Sequence, residues 1–499
     1  MKKIGAILLA AATAVAASAQ TNLPPGRPMS LQDCFAAALT NNYDVRIERF
    51  NPQISQLNLN AAYSGYDPQF TFGGQHQYND SGAYFQNGQL IFPTINSGDT
   101  FDSGFSGGTP WGMTYDLSGN ISESRVTKGS NTNAFVFPNN SSGSIGLTLT
   151  QPLLKNFWID NNRLKILVAK NQLKSDEQGL RNQLITTLTA VENAYYELIY
   201  ARENVKVQQE ALGLAQTQLD QDQQRVQVGS LAPLDVQQDQ AQVAQSRANL
   251  IAAQYTYSVD QNTLKNLLTD NYSQWHDMDI DPTATLEAAR QLFDVQDSWS
   301  KGMTERPELQ QAKLNLERQG IQLKYYRNQL FPEVDLIGSY GLNGAGDQYH
   351  DSFSQINDGS RPYYSYGGRL TIPLGNVSAR NNLKSGKAAE QQLLLTLKQL
   401  EQNIMVDIDN AVKQAQSTWE SSEATKQARI YAEAALDAEE KKYAVGKSTT
   451  FTVLQLQNNL TSARSQEIRA LADYNQALAN LAAAEGSTLE RQHVDIEGK

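Results

Sequence analysis

Two stretches, RVQVGSLAPLDV (Arg225–Val236) and KYAVGKSTTFTV (Lys442–Val453), repeat one pattern 217 positions apart. Each lies between long polar, alanine-rich runs. Upstream of the first, apolar residues recur every seventh position at Leu184, Val191, Leu198, Val205, Leu212, Leu219 and Val226, with Ala194, Ala201 and Ala215 three places after some of them. This is a coiled-coil seam whose alanines allow neighbouring helices to approach closely. The period resumes at Val236, Val243, Leu250, Tyr257 and Leu264, and the second half has Val453, Leu460, Tyr474 and Leu481, interrupted by Glu467. No proline falls between Trp158 and Gly229, so a continuous helix there would run on the order of 100 Å. Gly229 and Gly446 supply the positive φ that ends such a helix, and Pro233 suits the first turn of a returning one. Each half therefore reads as a long antiparallel helical hairpin with its sharp corner at 226–236 or 443–453.

The duplication extends beyond the corners. Asn42–Phe70 overlies Arg306–Val334 at an offset of 264, pairing Pro68 with Pro332, and LTQPLL (Leu149–Leu154) overlies LTIPLG (Leu370–Gly375) at 221. Matches kept in order signal an internal repeat. At the other ends of the helices the period changes to two. Phe70, Phe72, Gly74, His76 and Tyr78 alternate with polar or small residues, as do Ile145, Leu147 and Leu149; Val334, Leu336, Tyr340 and Leu342 share one parity, and Tyr364, Tyr366, Leu370, Ile372 and Leu374 another face. About ten residues, one apolar face and many tyrosines are the mark of a transmembrane β-barrel strand, although a half-buried soluble sheet alternates in the same way. Four strands cannot close a barrel, so several chains must combine.

The first residues, MKKIGAILLAAATAVAASAQ, have the charged start, apolar run and A-x-A end of a secretory leader, expected to be removed at Ala19. No later run reaches the ~20 apolar residues of a membrane helix, and mean hydropathy is −0.50. Net charge is −11, and −13 without Lys2 and Lys3, which excludes nucleic acid as an expected partner. The single cysteine, Cys34, has no internal partner for a disulfide. The histidines His76, His276, His350 and His493 lack metal-ligand spacing, and the glycines of Gly338–Gly346 read as strand and loop rather than a phosphate cradle. No catalytic residue, metal site or cofactor is expected.

Together, the leader, the doubled strand-and-hairpin plan, the opening LQDCFAAALTNNYDVRI, the phrases RPEL and QPLL and the two Val-Gly corners resemble the TolC-like outer-membrane efflux channels, from about Ser30 to Leu489. The resemblance implies a mainly α fold with transmembrane β: a homotrimer in which four strands per chain build a twelve-stranded barrel in outer-membrane lipid, while the helices form a tunnel across the periplasm. It implies an exit duct for efflux or type I secretion, joined by a periplasmic adaptor to an inner-membrane pump of RND, ABC or MFS type. Val228, Gly229, Val445 and Gly446 would meet the adaptor. Asp235 and Tyr443 match a tip pair that clasps the closed end. Thr452 and Gln455 stand where the family's type member carries aspartates ringing its entrance, and Ser448 where it carries an arginine, so a cation-blocking acidic ring is not expected and part of the clasp is missing.

The resulting plan is a leader (1–19), an N-terminal helical part (20–68), first-repeat strands (69–153), a first hairpin (154–269), a connecting segment with one short helix (270–305), a second-repeat helix (306–332), second-repeat strands (333–375), a second hairpin (376–488) and a tail (489–499). Asn79–Gly143 is much longer than its counterpart Ala345–Tyr363. An added hairpin, Thr100–Phe105 with Trp111–Ser122, is expected to cap the barrel outside the cell, the alternative being that it joins the wall. The competing functional reading is a structural coiled-coil envelope protein without a pore; the heptads fit it and the alternating strands do not.

Overall fold

The computed structural model describes residues 27–128, 135–136 and 139–492; the leader Met1–Ala19, His493 and most of the tail lie outside them. In chain order the elements are β1 (Arg27–Met29), α1 (Leu31–Asn41), α2 (Tyr43–Glu48), α3 (Phe50–Ala62), β2 (Gln69–Asp80), β3 (Tyr84–Gln86), β4 (Gln89–Ile91), β5 (Thr94–Gly108), β6 (Thr114–Lys128), β7 (Phe135–Val136) and β8 (Asn140–Pro152), then α4 (Asn161–Gln227), α5 (Pro233–Leu268), α6 (Tyr272–Trp275), β9 (Ile280–Pro282), α7 (Val295–Glu305) and α8 (Pro307–Asn328). They end with β10 (Glu333–Gly346), α9 (Tyr349–Asn357), β11 (Pro362–Thr371), α10 (Val377–Ala444), α11 (Thr450–Glu485) and α12 (Thr488–Arg491). The chain forms two compact units. Among the described residues, one takes those up to Arg46, Leu184–Ser298 and 408–492; the other holds Ile47–Gln183 and Trp299–Asp407.

The second of these units contains a continuous antiparallel sheet in the order β11-β10-β8-β6-β5-β2, with β7 beside β6. Its registers carry rows across all six main strands. Phe70, Phe105, Leu117, Leu147, Tyr340 and Tyr364 form one row, and Gln69, Ser106, Asp116, Thr148, Ser339 and Ser365 form another on the opposite face. The apolar face is bare: Phe70 is 70% exposed and Tyr364 76%. In water such a face is unfavourable by ~25 cal/mol per Å², whereas lipid accepts it. At its far end α9 lies over the strands. The Ser352 hydroxyl donates to Ser141 Oγ at 2.8 Å, and a Cβ at Gly344 would collide with the Ser352 carbonyl.

The expectation of four strands is corrected here. The inserted segment supplies two full strands, β5 and β6, placed between β2 and β8, so each chain contributes six. The hairpin is also longer than Thr100–Phe105 with Trp111–Ser122, and Trp111 lies in its turn rather than in a strand. The physical reason is hydrogen bonding: 15-residue strands satisfy their backbone groups on both sides only by joining the ladder. The connecting segment also holds more than one short helix, with α6, β9 and α7 inside it.

The other unit is helical. The two hairpins are built alike: α4 has 67 residues and α10 68, while α5 and α11 have 36 each. Leu184, Val191, Leu198, Ala201 and Ala215 of the seam are buried, and α11 buries Ala463, Ala470, Ala472, Ala477, Ala479 and Ala482. Glu467, which breaks the second seam, is held by Arg429 at 2.5 Å. Arg469 of α11 reaches Glu197 of α4 at 2.7 Å and lies 4.7 Å above the Tyr200 ring. The connecting segment is tied in by parallel pairing of β1 with β9, and the buried Tyr195 hydroxyl donates to the Met29 carbonyl at 3.0 Å. Cys34 is fully buried, which pushes its thiol up to about 12. No helix among the described residues is long and apolar enough to cross a membrane.

Candidate functional site at the helix tips

Both corners end their helices in the same way. Gly229 has φ 77° and Gly446 φ 72°. The Ser230 amide donates to the Arg225 carbonyl at 2.8 Å and Gly229 to Val226 at 3.0 Å; Lys447 to Lys442 at 2.9 Å and Gly446 to Tyr443 at 3.0 Å repeat the pair. These are Schellman closures, in which a glycine takes the left-handed conformation and the last carbonyls are satisfied. The starts of the returning helices differ. Thr449 caps α11 through the Thr452 amide, while Ala232 offers α5 no side-chain cap and Pro233 opens it instead.

Below the turns a buried polar cluster is set among apolar side chains. Tyr443, 8% exposed, packs with Leu436, Val453 and Leu460. Its hydroxyl lies 2.7 Å from both carboxylate oxygens of Asp222 and 2.9 Å from Thr450 Oγ1. Gln218 Nε2 donates to Asp222 at 2.8 Å, and the Arg225 guanidinium stands 3.7 Å from the same carboxylate and 4.4 Å above the Tyr443 ring. Burial raises the Tyr443 phenol above its ordinary value, so it stays a donor. Asp239 of α5 is also fully buried, and no N–H or hydroxyl donates to either of its oxygens in the structure. Burial first, then the charge of Asp222 and a hydrogen bond with that carboxylate, then the charge of Asp235, push its carboxyl up to about 7. The Asp239 carboxyl thus shares one small space with Asp222, whose charge disfavours a second charge beside it.

The residues singled out from the sequence take different places. Tyr443 meets Asp222, 221 positions away, and not Asp235, which is half-buried in the first turn of α5. Thr452 is half-buried, its hydroxyl 3.0 Å from that of Thr449, and Gln455 is exposed. Val228 and Val445 are exposed at the turns beside Gly229 and Gly446, as are Leu234 and Phe451. Sequence reading passed over Asp222, Asp239 and Thr450, yet a signal existed. Asp222 follows Leu219 by three places, as Ala215 follows Leu212, and Asp239 follows Val236 in the same way. A carboxylate at the buried seam position of a coiled coil needs a partner, and that need could have been read.

Comparisons with known proteins agree with this architecture. The family model for "Outer membrane efflux protein" matches residues 113–269 and 300–487. Outer membrane protein TolC of Vibrio cholerae is 24% identical over 361 residues, 71% of this chain and 78% of that one. Outer membrane efflux protein BepC of Brucella suis is 24% identical over 334 residues, 66% of this chain and 69% of its own. Among solved structures, the Campylobacter jejuni CmeC outer membrane channel superposes with a TM-score of 0.66 at 13% identity, covering 94% of this chain and 90% of its own. VceC of Vibrio cholerae gives 0.66 at 17%, covering 91% and 96%.

Proposed function

Since the chain belongs to the outer membrane efflux protein family, and so is an outer-membrane efflux channel, we propose that it works as a homotrimer, the passive exit duct of a tripartite efflux or type I secretion assembly. The observation that carries this reading is the sheet. It has a bare apolar face and two edges, β2 and β11, each paired on one side only among the described residues. Unpaired backbone groups in hydrocarbon cost several kcal/mol each, so the edges need strands from neighbouring copies. A coiled-coil envelope protein without a pore has no use for such a face. The exposed Val228, Leu234, Val445 and Phe451 at the turns are the surface on which a periplasmic adaptor docks, linking the duct to an inner-membrane pump of RND, ABC or MFS type. The duct performs no reaction.

Closure of the tip rests on the latch from Tyr443 and Thr450 to Asp222. A buried hydrogen bond to a carboxylate contributes roughly 1.5–3 kcal/mol. Light scattering of the detergent-extracted protein, with planar-bilayer recording, tests the duct: a trimer with a mostly closed, occasionally conducting state is expected. A stable monomer that never conducts refutes it.

A further inference from the structure

We propose that the inserted hairpin β5–β6 is a wall element, so that three copies close a barrel of eighteen strands rather than twelve, with Asp102 and Asp116 as the selectivity-determining charges of its lumen. This rests on the trimeric reading above. Six strands from each of three copies follow directly from the sheet order. The insertion also obeys the facing rule of a wall. Phe101, Phe105, Tyr115, Leu117 and Ile121 share the apolar face, while Thr100, Asp102, Ser106, Asp116, Ser118, Asn120 and Ser122 fall on the polar one. A cap outside the membrane has no reason to continue the apolar rows of β2 and β8 through both of its strands. An even number of added strands also leaves β2 and β8 antiparallel, so the hairpin enters without reversing any other strand.

Barrel diameter grows about linearly with strand number. At ~4.8 Å between strands and ~40° of tilt, the backbone-to-backbone diameter rises from roughly 24 Å to roughly 36 Å. With ~5 Å of side chain on each wall, the open area grows roughly threefold. The insertion also adds charge to this lumen: Asp102 and Asp116 partway along its strands and Lys128 at the end of β6. On the polar face, Asp335 is neutralised by Arg369 at 3.0 Å and Glu333 stands 3.6 Å from Lys155. Asp102 and Asp116 are exposed, and no ion pair joins either to a cation among the described residues. They lie four register positions apart, Asp102 opposite Asn120 and Asp116 opposite Ser106, giving two levels of carboxylate in a threefold barrel. Such a lining concentrates cations and repels anions. The exit is thus wide and favours bulky neutral or cationic cargo.

Cysteine pairs in outer membranes test the wall. The Ser122 and Ser142 hydroxyls are 3.0 Å apart across β6 and β8, and Gln75 faces Thr100 across β2 and β5. The pairs Ser122→Cys with Ser142→Cys, and Gln75→Cys with Thr100→Cys, are expected to form disulfides within one chain, seen as a mobility shift lost on reduction. Gln75→Cys with Ser142→Cys is expected to stay reduced; if it bridges and the other two do not, the hairpin lies outside the wall and the inference falls. Cys34, buried with a raised thiol, stays silent. Light scattering on the same samples separates the two levels: a trimer with the wrong bridges sinks only the eighteen-strand barrel, whereas a monomer sinks the duct itself. For the charge, Asn120→Cys is labelled from outside with trimethylammonium and sulfonate methanethiosulfonates. Asp102→Asn should lower the cation-to-anion rate ratio about three- to tenfold; an unchanged ratio overturns the selectivity claim.

Discussion

The two repeats agree in their helices and disagree in their strands. Long helices α4 and α10 differ by one residue and α5 and α11 not at all, yet the first repeat places four main strands in the sheet and the second only two. Coiled-coil packing explains the conservatism: adding or removing residues shifts every later side chain around the helix, so each seam residue leaves its hole. A sheet grows differently. A hairpin inserted between two antiparallel strands takes over their hydrogen bonds and returns an identical edge, so the wall accepts pairs of strands without disturbing the rest.

The largest effect expected from this contrast comes from editing each region by deletion. Removing Thr94–Lys128 and joining the ends with a short turn should leave a helical, membrane-inserted trimer in which β2 pairs directly with β8. Removing only two residues from the middle of α10 should abolish assembly altogether. Outer-membrane yield and circular dichroism compare the two; tolerance of the α10 deletion would break the contrast.

Next in size is the latch, where the repeats meet. Tyr443→Phe removes the phenol's hydrogen bond to Asp222 and should raise resting conductance by about ten- to a hundredfold, from roughly 1.5–3 kcal/mol; Asp222→Ala removes that bond and those from Thr450 and Gln218, and should raise it at least as much. The double variant should add little. Asp235→Ala should change conductance far less, because Tyr443 does not touch that carboxylate. Additive effects at Asp222 and Tyr443 would place closure in helix packing instead.

A smaller effect is expected from pH. Folding lifts the Asp239 carboxyl from an ordinary 3.8 to about 7, so the closed tip retains a proton that a solvated carboxyl has already released. The stability tied to that proton is fully present below about pH 4, is lost as pH rises to about 7, and changes no further above it. Resting conductance should therefore climb between pH 4 and pH 7 and level off. Asp239→Asn, which cannot ionise, should flatten the profile; an unaltered profile in that variant assigns the titration elsewhere.

The smallest effects belong to the turn glycines. Gly229 and Gly446 have positive φ and open space where a Cβ would stand, so alanine at either pays only for the left-handed backbone, about 1 kcal/mol, and equally at both tips. Thermal midpoints should fall by about one degree in each variant. A large difference between them would show that the two turns, alike in their hydrogen bonds, carry unequal load.

The legible part of this fold is local. A seven-residue period in Leu184–Val226, glycine at both corners and period-two runs ending in tyrosines each depend on residues close in sequence, and helices, turns and strands formed where those patterns stand. Even the inserted hairpin was legible as a hairpin, from the alternation of Trp111–Ser122. Its place in the wall was not, because alternation states which side chains share a face and says nothing about the neighbouring strand. The same limit separated Asp235 from Asp222.

By itself, then, the sequence determined the doubled plan, the helical hairpins with glycine corners and the two-faced strands, since periodicity and backbone preference act within a few residues. Tertiary structure alone decided that β5 and β6 join β2 to β8, that Tyr443 rests on Asp222 across 221 positions, and that Asp239 is buried beside that same carboxylate. Those outcomes depend on which hydrogen-bond donors and which seams meet after the chain has turned back on itself, a competition among distant segments that no local pattern ranks.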